Sequence, residues 1–429
     1  MQKVKNNNKK VGQAVQKIHN ERVTDKMQPK FPMAFGAAML IGQYAWFTAS
    51  PIRGTLLPQL FSDIDPAHKV SAVAALTAVS AIFSALGNIL FGALSDMTRT
   101  KIGRRMPWII GGVLIESALL CLIANLTNIW LIVAFWSLVS MAENAAAAPM
   151  IAQQADRIAP KWRGTVSTLW GIGLAAQQLT TMLAAQFLGN VKLGIYILAA
   201  IGVVVMIAHV LLSHEKGNLS QPKIKFTGKN MMLHFSIPIK GARDYWLAIS
   251  GKLLEAMAGN IVAVYLLYIL TDYMHLGQNA AGKTISSYAL ITLIITLIFT
   301  AISGPIADKM GRLKLPVALS MILIGIGQFF PFFSPHPWTI YVLAVLAGIG
   351  IGIFNSIDNA LDLAVLPNKE TSGKDMGFIN LANTLSQVMA ALFASLIVTY
   401  LGGYRAIFPM TLLIDLIGGF LIFKIKSVK

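Results

Sequence analysis

The sequence is poor in charge and almost without cysteine. Only 12% of its 429 residues are charged, about half the ~25% of an ordinary soluble domain. The single cysteine, Cys121, excludes an intrachain disulfide framework and every cysteine-based metal cluster. The seven histidines (His19, His68, His209, His214, His234, His275, His336) have no metal-ligand spacing. No Ser-His-Asp set, phosphate-binding loop or glycine-rich dinucleotide turn occurs. An enzyme, a resident cofactor or metal, and ATP-driven transport are therefore not expected. Acids are scarce too: 18 Asp plus Glu stand against 35 Lys plus Arg, a net charge of +17. What fills the chain instead is apolar, at 55% hydrophobic residues and a mean hydropathy of +0.65. A water-soluble fold could not bury so much apolar side chain. The positive charge is thus a sign of membrane topology, with no nucleic-acid partner expected.

A helix needs about 20 apolar residues to cross a hydrocarbon layer of roughly 30 Å. Twelve such runs are present, near 33–60, 70–95, 107–125, 129–153, 164–188, 191–213, 245–271, 283–306, 315–333, 338–362, 375–401 and 404–424. Short turn-forming breaks separate them, such as Gly189-Asn190 and Gly402-Gly403. The ten-residue alternation of a membrane barrel is absent, so the fold class is an all-α membrane protein. Thirty polar residues precede the first run, so no cleaved leader is expected. The expected organisation is a tail over 1–30, with a short surface helix at Val11, Val15 and Ile18. A six-helix bundle follows over 31–213, then a polar linker over 214–244, a second bundle over 245–424 and a short tail over 425–429. With both ends on one side, 29 of the 35 cations fall on that side. The positive excess makes it the cytoplasmic one.

The two halves repeat a loop after their second helix. The first copy runs Gly92, Asp96, Gly103, Arg104, Arg105; the second runs Gly304, Asp308, Gly311, Arg312, Lys314. The two aspartates are 212 residues apart, about half the chain. This duplicated loop resembles the signature loop of the major facilitator superfamily, and the resemblance extends over the whole chain. It implies two pseudo-symmetric six-helix bundles, with Asp96, Arg104, Arg105, Asp308 and Arg312 latching the cytoplasmic ends of the halves together. An aspartate there can accept hydrogen bonds from a helix N-terminus of the opposite half.

Within that superfamily the chain looks like the glycoside–pentoside–hexuronide cation symporters and the sucrose-type proton symporters. The first loop continues into Gly103-Arg104-Arg105-Met106-Pro107-Trp108. Ala148 to Gly164, with Asp156 and Arg163, matches the hinge between helices 4 and 5. Asp358 to Pro367 and Gly373 to Asn380 match the hinge between helices 10 and 11. The resemblance implies a sugar or glycoside as substrate. Melibiose-type members carry a cation-binding aspartate on helix 2, where this sequence has only Asn88. A proton is therefore the expected coupling ion, rather than sodium.

Charges inside spans are costly and mark pathways or partners. Here they are Arg53, Glu116, Glu143, Lys252, Glu255, Asp358, Asp362 and Asp415. At 1.5 Å per residue, Glu143, Glu116 and Glu255 lie about 13–20 Å deep, near the midplane where transporters hold substrate and ion. In the resembled fold, helices 1, 4, 7 and 10 line the cavity, which favours Glu143 and Glu255 over Glu116 and Asp415. Glu143 is the first choice as proton carrier. Lys252, one turn from Glu255, is expected to pair with it. Asp358 and Asp362 are expected to gate by latching onto Arg163 or the linker. Sugar stacking and hydrogen bonding point to Trp46, Trp170, Gln43, Tyr44, Asn260, Tyr265, Asn380 and Asn383, with Arg53 in the outer part of the first span. For each amide or aromatic, a helix–helix hydrogen bond is the plainer alternative.

The function expected is a plasma-membrane secondary transporter, working as a monomer by alternating access with proton symport. An exporter of amphipathic compounds on the same fold, or a non-transporting sensor, are the alternatives.

Overall fold

The structure, a computed structural model, describes residues 23–175, 177–215, 217–219, 242–365 and 372–428. The surface helix expected near Val11 and most of the linker lie outside the described residues. Those that are described form helices and short connections. Ten helices are long and apolar enough to cross a membrane. They are α2 (Lys69–Met97), α3 (Met106–Ile123), α4 (Ile129–Arg157), α6 (Val191–Ser213), α7 (Arg243–Tyr268), α8 (Gln278–Met310), α9 (Lys314–Phe333), α10 (Pro337–Ala364), α11 (Ser372–Tyr400) and α12 (Ile407–Phe423).

The other two expected spans are broken into shorter pieces. The first, α1, is built from Met33–Gly42, Tyr44–Phe47, Ala49–Pro51, a π turn over Ile52–Leu56, and Leu57–Ile64. Pro51 explains the site of the π turn: it has no N–H to donate and its ring crowds the preceding carbonyls. The fifth, α5, comprises Arg163–Ala175 and Gln178–Ala185. Several helices also outrun their apolar stretch, α8 by a few residues at each end, because a helix continues into polar sequence once its middle is anchored.

Outward faces are apolar, as contact with lipid demands. On α8, Leu290, Ile294, Leu297, Ile298, Ile302 and Ile306 form one exposed stripe at helical spacing. A stripe of this size would aggregate in water. Inside the C-terminal half, helices approach through small residues. Thr296 and Thr300 of α8 donate to the carbonyls of Gly348 and Gly352 on α10, at 3.2 and 3.3 Å. A Cβ on Gly352 would meet the Thr296 carbonyl oxygen at 2.9 Å, so close packing here requires glycine.

The two halves meet at one end of the bundle. The largest apolar cluster crosses the seam there, with Leu56, Leu57, Phe61 and Leu76 packed with Ile261, Tyr265, Tyr268 and Leu270. Polar contacts reinforce it. Tyr268 donates to the Pro58 carbonyl at 2.9 Å, Tyr265 to the Val70 carbonyl at 3.1 Å, and Gln186 to Ser286 at 2.8 Å. Lys69 and Asp272 form a 2.7 Å ion pair. At the opposite end, where the linker attaches, each of the three remaining clusters belongs to a single half. One end is therefore sealed across the seam, and among the described residues no shared core closes the linker end.

Candidate functional site

In the N-terminal half, the π turn presents Arg53 toward α2 and α4. Its Nη1 donates to Ser80 Oγ at 2.6 Å, and Ser140 Oγ donates to the same oxygen at 3.2 Å. Both serines are fully buried. Glu143 lies one turn beyond Ser140 on α4, half-buried, and its charge acts on Arg53. The two make no ion pair within 4.0 Å, so the guanidinium is tethered by a neutral hydroxyl beside the carboxylate. Asn144 donates to the Ser140 carbonyl at 3.0 Å and receives a long 3.4 Å contact from Asn88. Asn88 thus takes up the polar position on α2 facing α4. Ser80, Ser140 and Asn144 were missed in the sequence because small polar residues carry no charge cost to mark them.

The C-terminal half holds a denser charge group. Lys252 Nζ of α7 lies 2.5 Å from Asp358 Oδ2 and 2.8 Å from Asp362 Oδ2 of α10. This corrects the expected Lys252–Glu255 pair. A lysine reaching its own i+3 neighbour must fold back along its helix. Two acids at i and i+4 on a facing helix offer a clamp in a medium of low dielectric. Among the described residues, Asp358 and Asp362 pair within their own half; the Arg163 side chain and most of the linker, their expected partners, lie outside the described part. Glu255 is half-buried and close enough to feel both Asp358 and Lys252. Asn260 donates to the Ala256 carbonyl at 2.7 Å and lies 3.5 Å from the buried Ser386 Oγ of α11.

The expected sugar-contacting residues divide. Gln43 is fully buried and donates to the Trp170 carbonyl at 2.7 Å, tying α1 to α5 as a helix–helix bond. Trp46 packs its ring on Phe47, 4.0 Å between centroids, and with Trp170 joins the inner cluster of the N-terminal half. Tyr265 is fully buried in the seal, not on an open wall. Tyr44 and Asn260 are half-buried, and Asn383 is exposed. The side chain of Asn380 lies outside the described part.

At the linker end the first signature loop is locked within its own half. Arg105 pairs with Asp96 at 2.6 Å and with Asp156 at 3.0 Å, and donates to Ser95 at 2.5 Å. Arg104 adds a 2.7 Å pair with Asp156. Among the described residues the partner of Asp96 is Arg105, buried beside it, and no contact of Asp96 with the opposite half is among them. Glu215, at the start of the linker, accepts from the backbone N–H groups of Arg104, Arg105 and Met106 at 3.2, 3.1 and 3.1 Å. It caps the first turn of α3, where free N–H groups and the helix dipole favour an anion. In the second loop Arg312 is exposed, and the side chains of Asp308 and Arg163 lie outside the described part.

A two-bundle helical fold, sealed at one end and with charged groups inside each bundle, has the architecture of a membrane transporter. The profile of the Major Facilitator Superfamily matches residues 31–251 and 248–428. The chain belongs to that superfamily. It is 28% identical to a D-xylose transporter of Levilactobacillus brevis over 113 residues, a match spanning 26% of this chain and 23% of that protein. Among solved structures, the nucleoside transporter NupG superposes with a TM-score of 0.68 at 15% identity, covering 91% of this chain and 98% of that one. A bacterial homolog of the human lysosomal transporter Spinster, inward-facing and unoccupied, superposes with a TM-score of 0.67 at 14% identity, covering 91% and 96%. At these identities the structural likeness concerns the fold.

Proposed function

We propose that this chain carries a sugar or glycoside across the plasma membrane by alternating access, in symport with protons. The observation that carries the reading is Arg53 held beside Glu143 without a direct ion pair. In such an arrangement, one proton on the carboxylate changes what the guanidinium is drawn toward. With Glu143 ionised, Arg53 is attracted to it. With Glu143 protonated, Arg53 is free to donate to sugar hydroxyls, so proton and sugar binding favour one another. Tyr44 and Asn260 supply further polar contacts from α1 and α7. The partial likeness to a D-xylose transporter supports the substrate class.

The positive excess places the linker end and both termini in the cytoplasm. The conformation is then inward-facing, with Lys69, Asp272, Tyr265 and Tyr268 sealing the outside. An apolar groove of about 540 Å³ lies among α8, α9 and α10. It is bordered by outward-facing Ile302, Ile306, Met310 and Leu319, and so belongs to the lipid face, giving no support to a central apolar cavity for export. The test is uptake of labelled pentoses, hexoses and glycosides into proteoliposomes, with and without an inward proton gradient. Gradient-driven accumulation is expected, and Glu143→Gln should abolish it while leaving sugar exchange. Accumulation that ignores the gradient would overturn the coupling.

A further inference from the structure

Asp415 of α12 is fully buried, and neither of its carboxyl oxygens has a hydrogen-bond partner. A carboxyl group buried without a donor or counter-charge is costly, and such groups inside spans mark a pathway or a partner. Its neighbourhood is specific. Helices α7 and α12 run antiparallel and cross at Gly251 and Gly418. A Cβ added to Gly418 would lie 3.4 Å from the Gly251 carbonyl oxygen and 3.3 Å from Leu254 Cβ. From that crossing, Glu255 is four residues along α7 and Asp415 three residues back along α12. The two acids therefore stand at one level of the bundle, and their charges interact. Behind Asp415, Gly325 of α9 leaves the space it fills: a Cβ there would meet Asp415 Cβ at 2.9 Å.

The ionisable groups on the surrounding helices are few. The sequence of α9 has only Lys314, at its start; α11 has Lys374 and Asp375 at its start and Tyr400 at its far end. On α7, Arg243 and Asp244 lie at the linker end, and Lys252 is held by Asp358 and Asp362. Glu255 is thus the group through which Asp415 can exchange a proton.

We propose that Asp415 and Glu255 form a two-acid proton site in the C-terminal half, in which Asp415 stores a proton and passes it to Glu255 during transport. A water between the two carboxyls takes the Asp415 proton as it gives one of its own to Glu255, and the proton leaves Glu255 to water at the open end. Asp415 is reloaded by the reverse transfer from a protonated Glu255. A permanently neutral spacer would need no acid, since asparagine has nearly the same shape. The proposal rests on the proton-coupled reading above, but on neither Glu143 nor the identity of the sugar.

Infrared spectroscopy of the full chain in lipid reads the protonated-carboxyl C=O stretch directly. Asp415→Asn should remove one component of that band at neutral pH. In the wild type this component should fall as pH rises, and Glu255→Gln should change that response. In proteoliposomes Asp415→Asn should cut gradient-driven accumulation at least about tenfold while sugar exchange persists. A band unchanged by Asp415→Asn, or a component that ignores pH until the protein unfolds, would overturn the proposal, as would wild-type accumulation in Asp415→Asn. If Asp415→Asn does not fold, the pH response in wild type and Glu255→Gln still decides it. If wild-type vesicles accumulate no sugar, the transport reading falls while the infrared titration continues to report on the acid pair.

Discussion

Lys252 and Asp358 join α7 to α10 through a 2.5 Å ion pair in the interior of the C-terminal half, and Asp362 completes the clamp from one turn away. Two acids against one cation leave this group with no cation to spare. Removing the cation alone takes the shared partner from both acids. Lys252→Ala should destabilise the protein by about 3–5 kcal/mol, the range for breaking a buried pair from one side. The triple variant Lys252→Met, Asp358→Asn, Asp362→Asn should recover most of the loss. Thermal unfolding of the purified proteins in one detergent checks both, and equal stability of Lys252→Ala and wild type would remove the clamp from the fold's support.

Glu215 ties the start of the linker to the N-terminus of α3. It accepts three backbone N–H groups that would otherwise point into the space next to Gly103. Gly103 itself has φ +97, and an added Cβ there would collide with the Glu215 side chain. Glu215→Ala should cost about 1 kcal/mol, as loss of a helix cap does, and Glu215→Gln less. Gly103→Ala should cost more than Glu215→Ala, because it adds backbone strain to the displaced cap. Unfolding midpoints of the three variants rank these effects.

Outside the spans, Asp65 closes the turn between α1 and α2. The His68 ring lies 2.8 Å from its Oδ2, and this hydrogen bond is the main cause that holds the Asp65 carboxyl below its ordinary value of 3.8. A depressed acid stabilises the fold above its unfolded value, and that gain is lost as pH falls through the folded value. The unfolding temperatures of wild type and Asp65→Asn should therefore differ above about pH 4 and converge in more acid solution. The turn is exposed, so the difference should be small. Divergence that grows toward low pH would contradict the sign.

Much of this was legible in the sequence, and the exceptions share a cause. Apolar runs located the spans, because burial in lipid is a property of each segment alone. The acids inside those spans were visible for the same reason. Pairing was not: Lys252 lies next to Glu255 along one helix, yet its partners come from α10, more than 100 residues away. Partner choice depends on which helix faces meet, and periodicity cannot supply that. Asp415 ranked low because it lies on a helix outside the expected cavity lining, and only the Gly251–Gly418 crossing brings it level with Glu255. Tyr265 was placed on a substrate wall by its residue type, while the structure uses its hydroxyl to close the seam.

The seal itself can be trapped. Gln186 and Ser286 hydrogen-bond across the halves at 2.8 Å, so cysteines at these positions lie within reach of a short, cleavable thiol cross-linker. Cys121 is the only native thiol, and a Cys121→Ser background leaves the introduced pair alone. Cross-linking of Gln186→Cys, Ser286→Cys should lock the sealed end and stop transport, and cleavage of the linker should restore it. Lys69→Ala with Tyr268→Phe removes the 2.7 Å ion pair and the 2.9 Å hydrogen bond to Pro58. At about 1 kcal/mol for each contact, the pair of changes should shift the balance toward opening of that end by about tenfold or more. Cross-linking of the cysteine pair should then slow, and a membrane-impermeant thiol reagent should label a cysteine at Ser62, half-buried beside Tyr268, faster than in the parent. Unchanged cross-linking and labelling would mean that the apolar cluster alone holds the seam, with the Lys69–Asp272 pair contributing nothing to the closed state.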